Sequence, residues 1–250
     1  MPFPLAHPAA VLPLRRYCPR YLNFPALVLG SLSPDLGYCF GHRHLDSFSH
    51  RFLAGSFGFC LPAGLLVLLV FYVVRKPLVG ILPARFRQAL LPLCERRAGA
   101  PVAAVVSLLI GAWTHIFLDD ISYPDGWAMK HLPILQSWVL SVGTYRFGVY
   151  DLLYVGCTFG GVAWLACCYL HWLERAAGSV GPTRRGLKWS CALLLGGSIL
   201  FVATANRGIN HSLGMTGVAV ITGLLLIGFI IGTGMPMAAK ERGAAKPQPK

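Results

Sequence analysis

The chain has 250 residues, of which 55% are hydrophobic and only 12% are charged, about half the charged share of an average soluble domain. This composition excludes an ordinary soluble globular domain and favours a membrane protein. The net charge of +13 would suit a nucleic-acid partner, but no zinc finger, basic helix or aromatic RNA-binding motif accompanies it, so we predict no nucleic-acid binding.

Residues 1–51 come first in the chain and contain no stretch long enough to cross a bilayer. The start, Met1–His7, lacks the charged leader and apolar core of a signal peptide. The apolar run 24–32 falls short of the roughly 20 residues that a crossing requires, so we expect a short or re-entrant helix buried against the others. If this run did cross, the N-terminus would lie on the cytoplasmic side instead.

Five later stretches are long and apolar enough to span a membrane. Inside lipid every backbone amide must find its partner locally, so we predict that these stretches are helices. The predicted fold is an all-α polytopic membrane bundle, a single domain over residues 1–239 followed by a disordered tail at 240–250. The predicted spans are 52–74, 101–118, 152–173, 189–205 and 213–235.

The basic residues alternate between rich and poor loops. The loops 75–100 and 174–188 and the tail together hold fourteen lysines and arginines, whereas the intervening loops 119–151 and 206–212 hold three. Positive charge marks the cytoplasmic side, so we predict a multi-pass membrane protein with a cytoplasmic C-terminus. The scheme places residues 1–51 outside, although they carry five positive charges.

Polar residues recur near the predicted outer face. His115 and Asp119 are four residues apart at the end of the second span, so they share one helix face. An imidazole and a carboxylate at that spacing are a common way for one helix to give a metal two ligands. His50 directly precedes the first span, which is antiparallel to the second, so it falls at the same level.

Two further candidates precede the first span. His7 lies beside a predicted short helix, and Asp35 lies in a turn between Pro34 and Gly37. If residues 1–51 are outside, five potential ligands share one face, and a mixed His/Asp set suits Zn²⁺, Mn²⁺ or Fe²⁺ better than Ca²⁺. Taken singly, each residue has an ordinary explanation as a hydrogen-bonded interfacial histidine or as a helix cap.

These residues belong to a longer ordered pattern over residues 1 to about 150, which resembles an uncharacterised bacterial membrane family, domain-of-unknown-function family 4184. The motifs that carry the resemblance are Met1-Pro-Phe-x-x-x-His7-Pro-Ala-Ala-Val-Leu-Pro13, Gly30-Ser-x-x-Pro-Asp35, Ser49-His50, Gly111-Ala-x-Thr-His115-x-x-x-Asp119 and Pro124-Asp-Gly-Trp127 followed by His131-Leu-Pro133.

More distantly, the order of histidines and aspartates is similar to membrane-bound metal-dependent hydrolases and to zinc-dependent phospholipase C. That similarity implies a zinc site with the ligands His7, Asp35, His50, His115 and Asp119. The chain departs from the pattern at Tyr123, where a histidine is usual, and it lacks the final His-x-x-x-Glu pair, which implies fewer ions or lost activity. The candidates for a replacement ligand are Asp125, His131 and His211.

The similarity leads us to expect a metal-dependent hydrolase of a phosphoester or lipid-linked substrate at the outer bilayer interface. Asp35 or Asp119 would act as general base, and Arg51 or Arg207 would hold a phosphate. The alternative is a non-enzymatic membrane protein, an ion-binding transporter or a scaffold, in which the same residues bind an ion or a proton. Both hypotheses require the five side chains to lie around one point.

Overall fold

The computed structural model describes residues 4–18, 20–39, 43–82, 84–96, 98–122, 126–142 and 145–176. The predicted spans 189–205 and 213–235 and the predicted tail 240–250 lie outside these residues.

The described part of the chain is mostly helical. Short 3₁₀ helices occupy Pro4–Ala6, Leu12–Tyr17 and Pro133–Gln136, and a π-helical turn at Ser56–Cys60 leads into α5. The helices are α1 (Pro8–Val11), α2 (Phe24–Gly30), α3 (Leu36–Cys39), α4 (Arg43–Ser49), α5 (Leu61–Gly80), α6 (Ala84–Cys94), α7 (Pro101–Ser122), α8 (Trp127–His131) and α9 (Val149–Ala176). The strands β1 (Trp138–Val142) and β2 (Tyr145–Gly148) form an antiparallel hairpin.

Three described helices are long and apolar enough to cross a membrane: Ser56–Gly80, Pro101–Ser122 and Val149–Tyr169. They coincide with the first three predicted spans. The first begins four residues later than predicted and ends six residues later, because the helix continues through Arg75 and Lys76 beyond the apolar run. The count of five spans stays a prediction, since the last two fall outside the described residues.

The chain divides into two compact units. The first comprises residues 1–75 and 96–167, and the described part of the second comprises most of 76–95 and 168–176. In the first unit Ala26 of α2, Leu68 of α5 and the α7 residues Ala104 and Leu108 form a buried apolar cluster. In the second unit, Phe86 and Ala89 of α6 pack against partly buried neighbours that include Tyr169 and Trp172.

The short helix α2 runs parallel to α7 in a constant register. The Asn23 amide donates to the Ser107 hydroxyl at 2.8 Å, and eight residues later the Ser31 carbonyl lies 2.7 Å from His115 Nδ1, so the offset is 84 residues at both ends. Between them Gly30 faces the Leu108 backbone and Gly111 faces the Leu27 backbone so closely that a β-carbon at either glycine would overlap it. The short helix is therefore packed along the middle of a candidate span.

The segment after α7 is structured, although the sequence predicted only a loop at 119–151. The Asp120 carboxylate accepts hydrogen bonds from the backbone amides of Trp127 and Ala128, at 2.5 and 2.9 Å, and so caps the start of α8. The β1–β2 hairpin follows, with a register irregularity after Trp138. Asp120 is thereby committed to a structural role beside the polar cluster.

Candidate metal centre

The helix α7 supplies two members of the polar cluster. His115 and Asp119 lie one turn apart on its buried face, and His115 Nε2 is 3.4 Å from Asp119 Oδ2. Both side chains are almost fully removed from solvent. A long apolar helix with a polar pair on its protein-facing side must give that pair partners inside the protein, since lipid offers none.

The packing of α2 against α7 brings two further groups to the cluster, the Ser31 carbonyl and the Asp35 carboxylate. Ser31, directly after α2, places its carbonyl oxygen 2.7 Å from His115 Nδ1. A carbonyl can only accept, so Nδ1 carries a proton, and Nε2 is the nitrogen whose lone pair would face the cluster when a metal ion is bound. The turn that follows carries Asp35, whose Oδ1 lies 3.5 Å from His115 Nε2.

His7 comes from the start of α1 and is fully buried in the cluster. Its ring stacks on His115 with centroids 3.7 Å apart, and its Nε2 lies 3.6 Å from Asp119 Oδ1. Burial, followed by the neighbouring His115, lowers the pKa of His7 from the usual 6.5 to about 4. At neutral pH this imidazole is therefore uncharged and able to donate a lone pair.

His50 reaches the cluster from the segment after α4. The Ser49 hydroxyl donates its only proton to the Pro34 carbonyl at 2.9 Å, so it can only accept from His50 Nδ1, 3.1 Å away. His50 is thereby held with its Nε2 lone pair toward Asp119 Oδ2, at 3.4 Å, and Asp35 Oδ1, at 3.9 Å. The Ser49 hydroxyl thus accepts a hydrogen bond from Nδ1 of His50, as the Ser31 carbonyl does from Nδ1 of His115.

The spacing of the donor atoms in the cluster is compatible with a bound cation. Neighbouring donors around a zinc ion stand about 3–3.5 Å apart, which follows from bond lengths of about 2.0–2.2 Å, and the separations given above are 3.4–3.9 Å. They exceed the roughly 2.7–3.2 Å of an N–H···O hydrogen bond. Two carboxylates in one buried cluster need a positive counter-charge, which a divalent cation would supply.

Several buried nitrogen and oxygen atoms of the cluster have no hydrogen-bond partner among the residues that the structure describes. They are both ring nitrogens of His7, both carboxylate oxygens of Asp35, Nε2 of His115 and Oδ1 of Asp119. Buried polar atoms are normally satisfied, and several unsatisfied ones around one point indicate a missing ion or water. Three-residue subsets that could hold an ion are His7/Asp35/His115 and His50/His115/Asp119.

All five residues expected as ligands from the sequence are thus brought together, from four separate parts of the chain. Their role as ligands stays a prediction. His131 is elsewhere: it is exposed, stacks on Trp127 and hydrogen-bonds the Trp127 carbonyl. Arg51 is exposed beside His50. The remaining candidates, Tyr123, Asp125, Arg207 and His211, lie outside the described residues.

Ser31 and Ser49 are site residues that the residue-by-residue reasoning missed. Ser31 occurs in the motif Gly30-Ser and Ser49 in the motif Ser49-His50. Serine is not a preferred metal ligand, so neither residue was assigned a function from the sequence. Their function depends on a carbonyl or hydroxyl reaching the second nitrogen of a histidine, which is a property of the folded chain. Such outer partners orient metal-binding histidines in many proteins.

We expect Ser49→Ala to weaken metal binding by about 10- to 100-fold, because the His50 ring loses the group that sets its tautomer and orientation. Ser47→Ala is the matched control, since Ser47 is exposed in the same helix. The measurement is a competition titration of the purified protein against a chelator of known affinity. Equal affinities for the two variants would refute the orienting role of Ser49.

Comparison with known proteins gives a family and no further relative. A family model described as a domain of unknown function (DUF4184) matches residues 1–234, and these include all five residues of the cluster. No curated protein and no solved structure matches the chain.

Proposed function

We propose that this chain, which belongs to the DUF4184 family, is a membrane-embedded, metal-dependent hydrolase of a phosphoester or lipid-linked substrate. One observation carries the proposal. Imidazole nitrogens from His7, His50 and His115 converge with the carboxylates of Asp35 and Asp119 at separations of 3.4–3.9 Å, inside a largely apolar helical chain.

The mixed nitrogen and oxygen donor set favours zinc, with manganese and iron as the alternatives. A metal ion held there would lower the pKa of a bound water and polarise a phosphoryl oxygen. The Asp35 carboxylate has two oxygens without hydrogen bonds to described residues, so one can hold the ion while the other accepts a proton from the attacking water. Asp119, which approaches all three histidines, serves chiefly to hold and neutralise the ion.

The surroundings of His50 favour a lipid-linked substrate. The His50 side chain is 22% exposed, whereas those of His7 and His115 are fully buried, so the cluster opens on the His50 side. Arg51, Phe52 and Leu53 are all exposed directly beyond it. A guanidinium next to two apolar side chains suits a phosphate joined to an acyl or isoprenoid chain.

The distribution of basic residues supports a location in the bacterial inner membrane. With the basic loop 75–100 in the cytoplasm, His115 and Asp119 fall near the outer end of their span. The same rule leaves the C-terminus on the cytoplasmic side. A lipid headgroup in the outer leaflet would then reach the cluster without leaving the membrane.

We expect the purified protein to hydrolyse a phosphodiester, and expect a chelator to abolish turnover and added zinc to restore it. The assay compares a soluble aryl phosphodiester with a lipid-linked phosphodiester. A higher turnover of the second substrate would indicate a preference for lipid. Arg51→Gln should raise KM for the lipid-linked substrate with little change in kcat. Metal-loaded protein that turns over neither substrate would contradict hydrolase activity.

The depth of the cluster favours a second candidate, a non-enzymatic ion-binding protein. Only His50 approaches the surface among the five residues, which leaves a narrow approach for a substrate but enough for an ion. Buried ionisable groups in spans commonly mark ion pathways. Metal-dependent uptake by proteoliposomes, in protein that binds metal but turns over no phosphodiester, would favour this function.

A further inference from the structure

The N-terminal segment reaches the end of α7 that is opposite to the polar cluster. Asn23, at the start of α2, donates from Nδ2 to the carbonyl of Ala98, three residues before α7 begins, whereas Ser31 and Asp35 contact His115 near its other end. At 1.5 Å per residue, α7 is about 33 Å long, close to the thickness of the bilayer core. The chain therefore runs from His7 toward the far end, where Asn23 hydrogen-bonds Ser107 through its backbone and Ala98 through its side chain, and returns through α2.

A basic and aromatic surface lies where the chain reverses. It consists of Arg15, Arg16, Tyr17, Arg20 and Tyr21 and is named here the arginine–tyrosine turn. All five side chains are exposed, Tyr17 to 41% and Tyr21 to 59%. No carboxylate among the described residues forms an ion pair with these arginines.

Each arginine of this turn lies over an aromatic ring. The guanidinium carbons are 5.7 Å from the Phe24 centroid for Arg15, 4.8 Å from the Tyr17 centroid for Arg16 and 5.0 Å from the Tyr21 centroid for Arg20. A guanidinium that packs on a ring through its face keeps its N–H groups directed outward at the edge. Those groups match the oxygens of a phosphate.

The neighbouring residues add to the positive charge of this end. The Tyr72 hydroxyl lies within hydrogen-bonding distance of the Asn23 side chain, and the Arg75 guanidinium stands 4.5 Å from the Tyr72 ring centroid. Arg75 also donates to the Arg96 carbonyl at 2.9 Å. Arg75 and Arg96, near the two ends of the basic loop 75–100, therefore lie close to Asn23. The arginine–tyrosine turn is thus on the same side of the membrane as the ends of that loop.

We propose that the arginine–tyrosine turn binds anionic phospholipid headgroups of the leaflet opposite to the metal centre. Tyrosines prefer the headgroup region of a bilayer, and clustered arginines attract anionic lipids there. The proposal also accounts for the positive charge of residues 1–51. Three of those five charges lie at the end where the basic loop lies, so they follow the positive-inside rule instead of opposing it.

The test compares lipid binding by full-length protein in detergent, with native mass spectrometry of added phosphatidylglycerol and phosphatidylcholine. We expect the wild type to prefer phosphatidylglycerol and Arg16→Gln/Arg20→Gln to reduce that preference about tenfold. The matched control, Arg87→Gln/Lys130→Gln, removes two other exposed charges and should leave it unchanged. Arg16→Lys/Arg20→Lys keeps the charge and should retain most of the preference.

The leaflet is tested by a cysteine at position 20. Arg20→Cys should react with a membrane-impermeant maleimide, above the wild-type background, in inside-out vesicles and not in right-side-out vesicles. Reaction in right-side-out vesicles would overturn the placement. A phosphatidylglycerol preference that survives Arg16→Gln/Arg20→Gln, or that the control pair lowers equally, would overturn the lipid-binding proposal.

Discussion

Asp119→Asn should remove the metal from the protein, while Asp120→Asn should leave it in place. The two variants lose the same charge at adjacent positions of α7. Asp119 lies 3.4–3.6 Å from nitrogens of all three histidines, whereas Asp120 accepts hydrogen bonds from the start of α8. Asparagine at 120 keeps one acceptor for that cap, so its effect on folding should be small.

The expected magnitude is large, because the Asp119 carboxylate lies within 3.6 Å of a nitrogen of each of the three imidazoles. We expect metal affinity to fall by well over 100-fold in Asp119→Asn, more than the loss of an outer-sphere partner causes. Elemental analysis of protein purified without added chelator measures the effect. About one equivalent of metal in the wild type and in Asp120→Asn, with almost none in Asp119→Asn, is the expected result.

Metal-free wild-type protein that stays metal-free after incubation with zinc, manganese or iron would contradict the site itself. In that case the histidines would pair with the carboxylates as protonated groups, and Asp119→Asn would act on stability instead. Equal metal content in the two variants would show that the bound metal lies elsewhere.

Gly111→Ala should destabilise the protein by about 2 kcal/mol or more, while Gly156→Ala should stabilise it slightly. Alanine is the better helix former by about 1 kcal/mol, so in the absence of contacts both changes would stabilise. At Gly111 the new β-carbon overlaps the Leu27 carbonyl and the backbone at Gly30 and Ser31, and backbone cannot move aside as a side chain can. At Gly156 an added β-carbon would have no described atom within 4 Å apart from its own stretch of helix.

The same change should also lower metal affinity, because α2 carries the groups that complete the cluster. A separation of α2 from α7 withdraws the Ser31 carbonyl from His115 and displaces Asp35. Thermal unfolding in detergent and metal titration of the two alanine variants provide the measurements. A Gly111→Ala protein as stable as the wild type would refute the close contact of α2 with α7.

Much of the helical framework was predictable because the bilayer constrains sequence strongly. Long apolar runs without charge have few alternatives to a spanning helix, so α5, α7 and α9 were expected close to their observed positions. The two strands at 138–142 and 145–148 were missed, since a two-stranded ribbon with nine strand residues has only a weak local signal. The capping role of Asp120 was missed as well, because its partners follow seven and eight residues later.

The sequence by itself determined the residue types of the cluster and the shared helix face of His115 and Asp119. Helical periodicity and span parity are local rules, so they place His50 and that pair at one level. The tertiary structure alone decided the side from which His7 and Asp35 approach, the tautomers imposed through Ser31 and Ser49, and the reversal of the chain at Arg15–Tyr21. Those features follow from the parallel packing of α2 on α7 through Gly30 and Gly111, a contact between residues about 80 positions apart that no local pattern specifies.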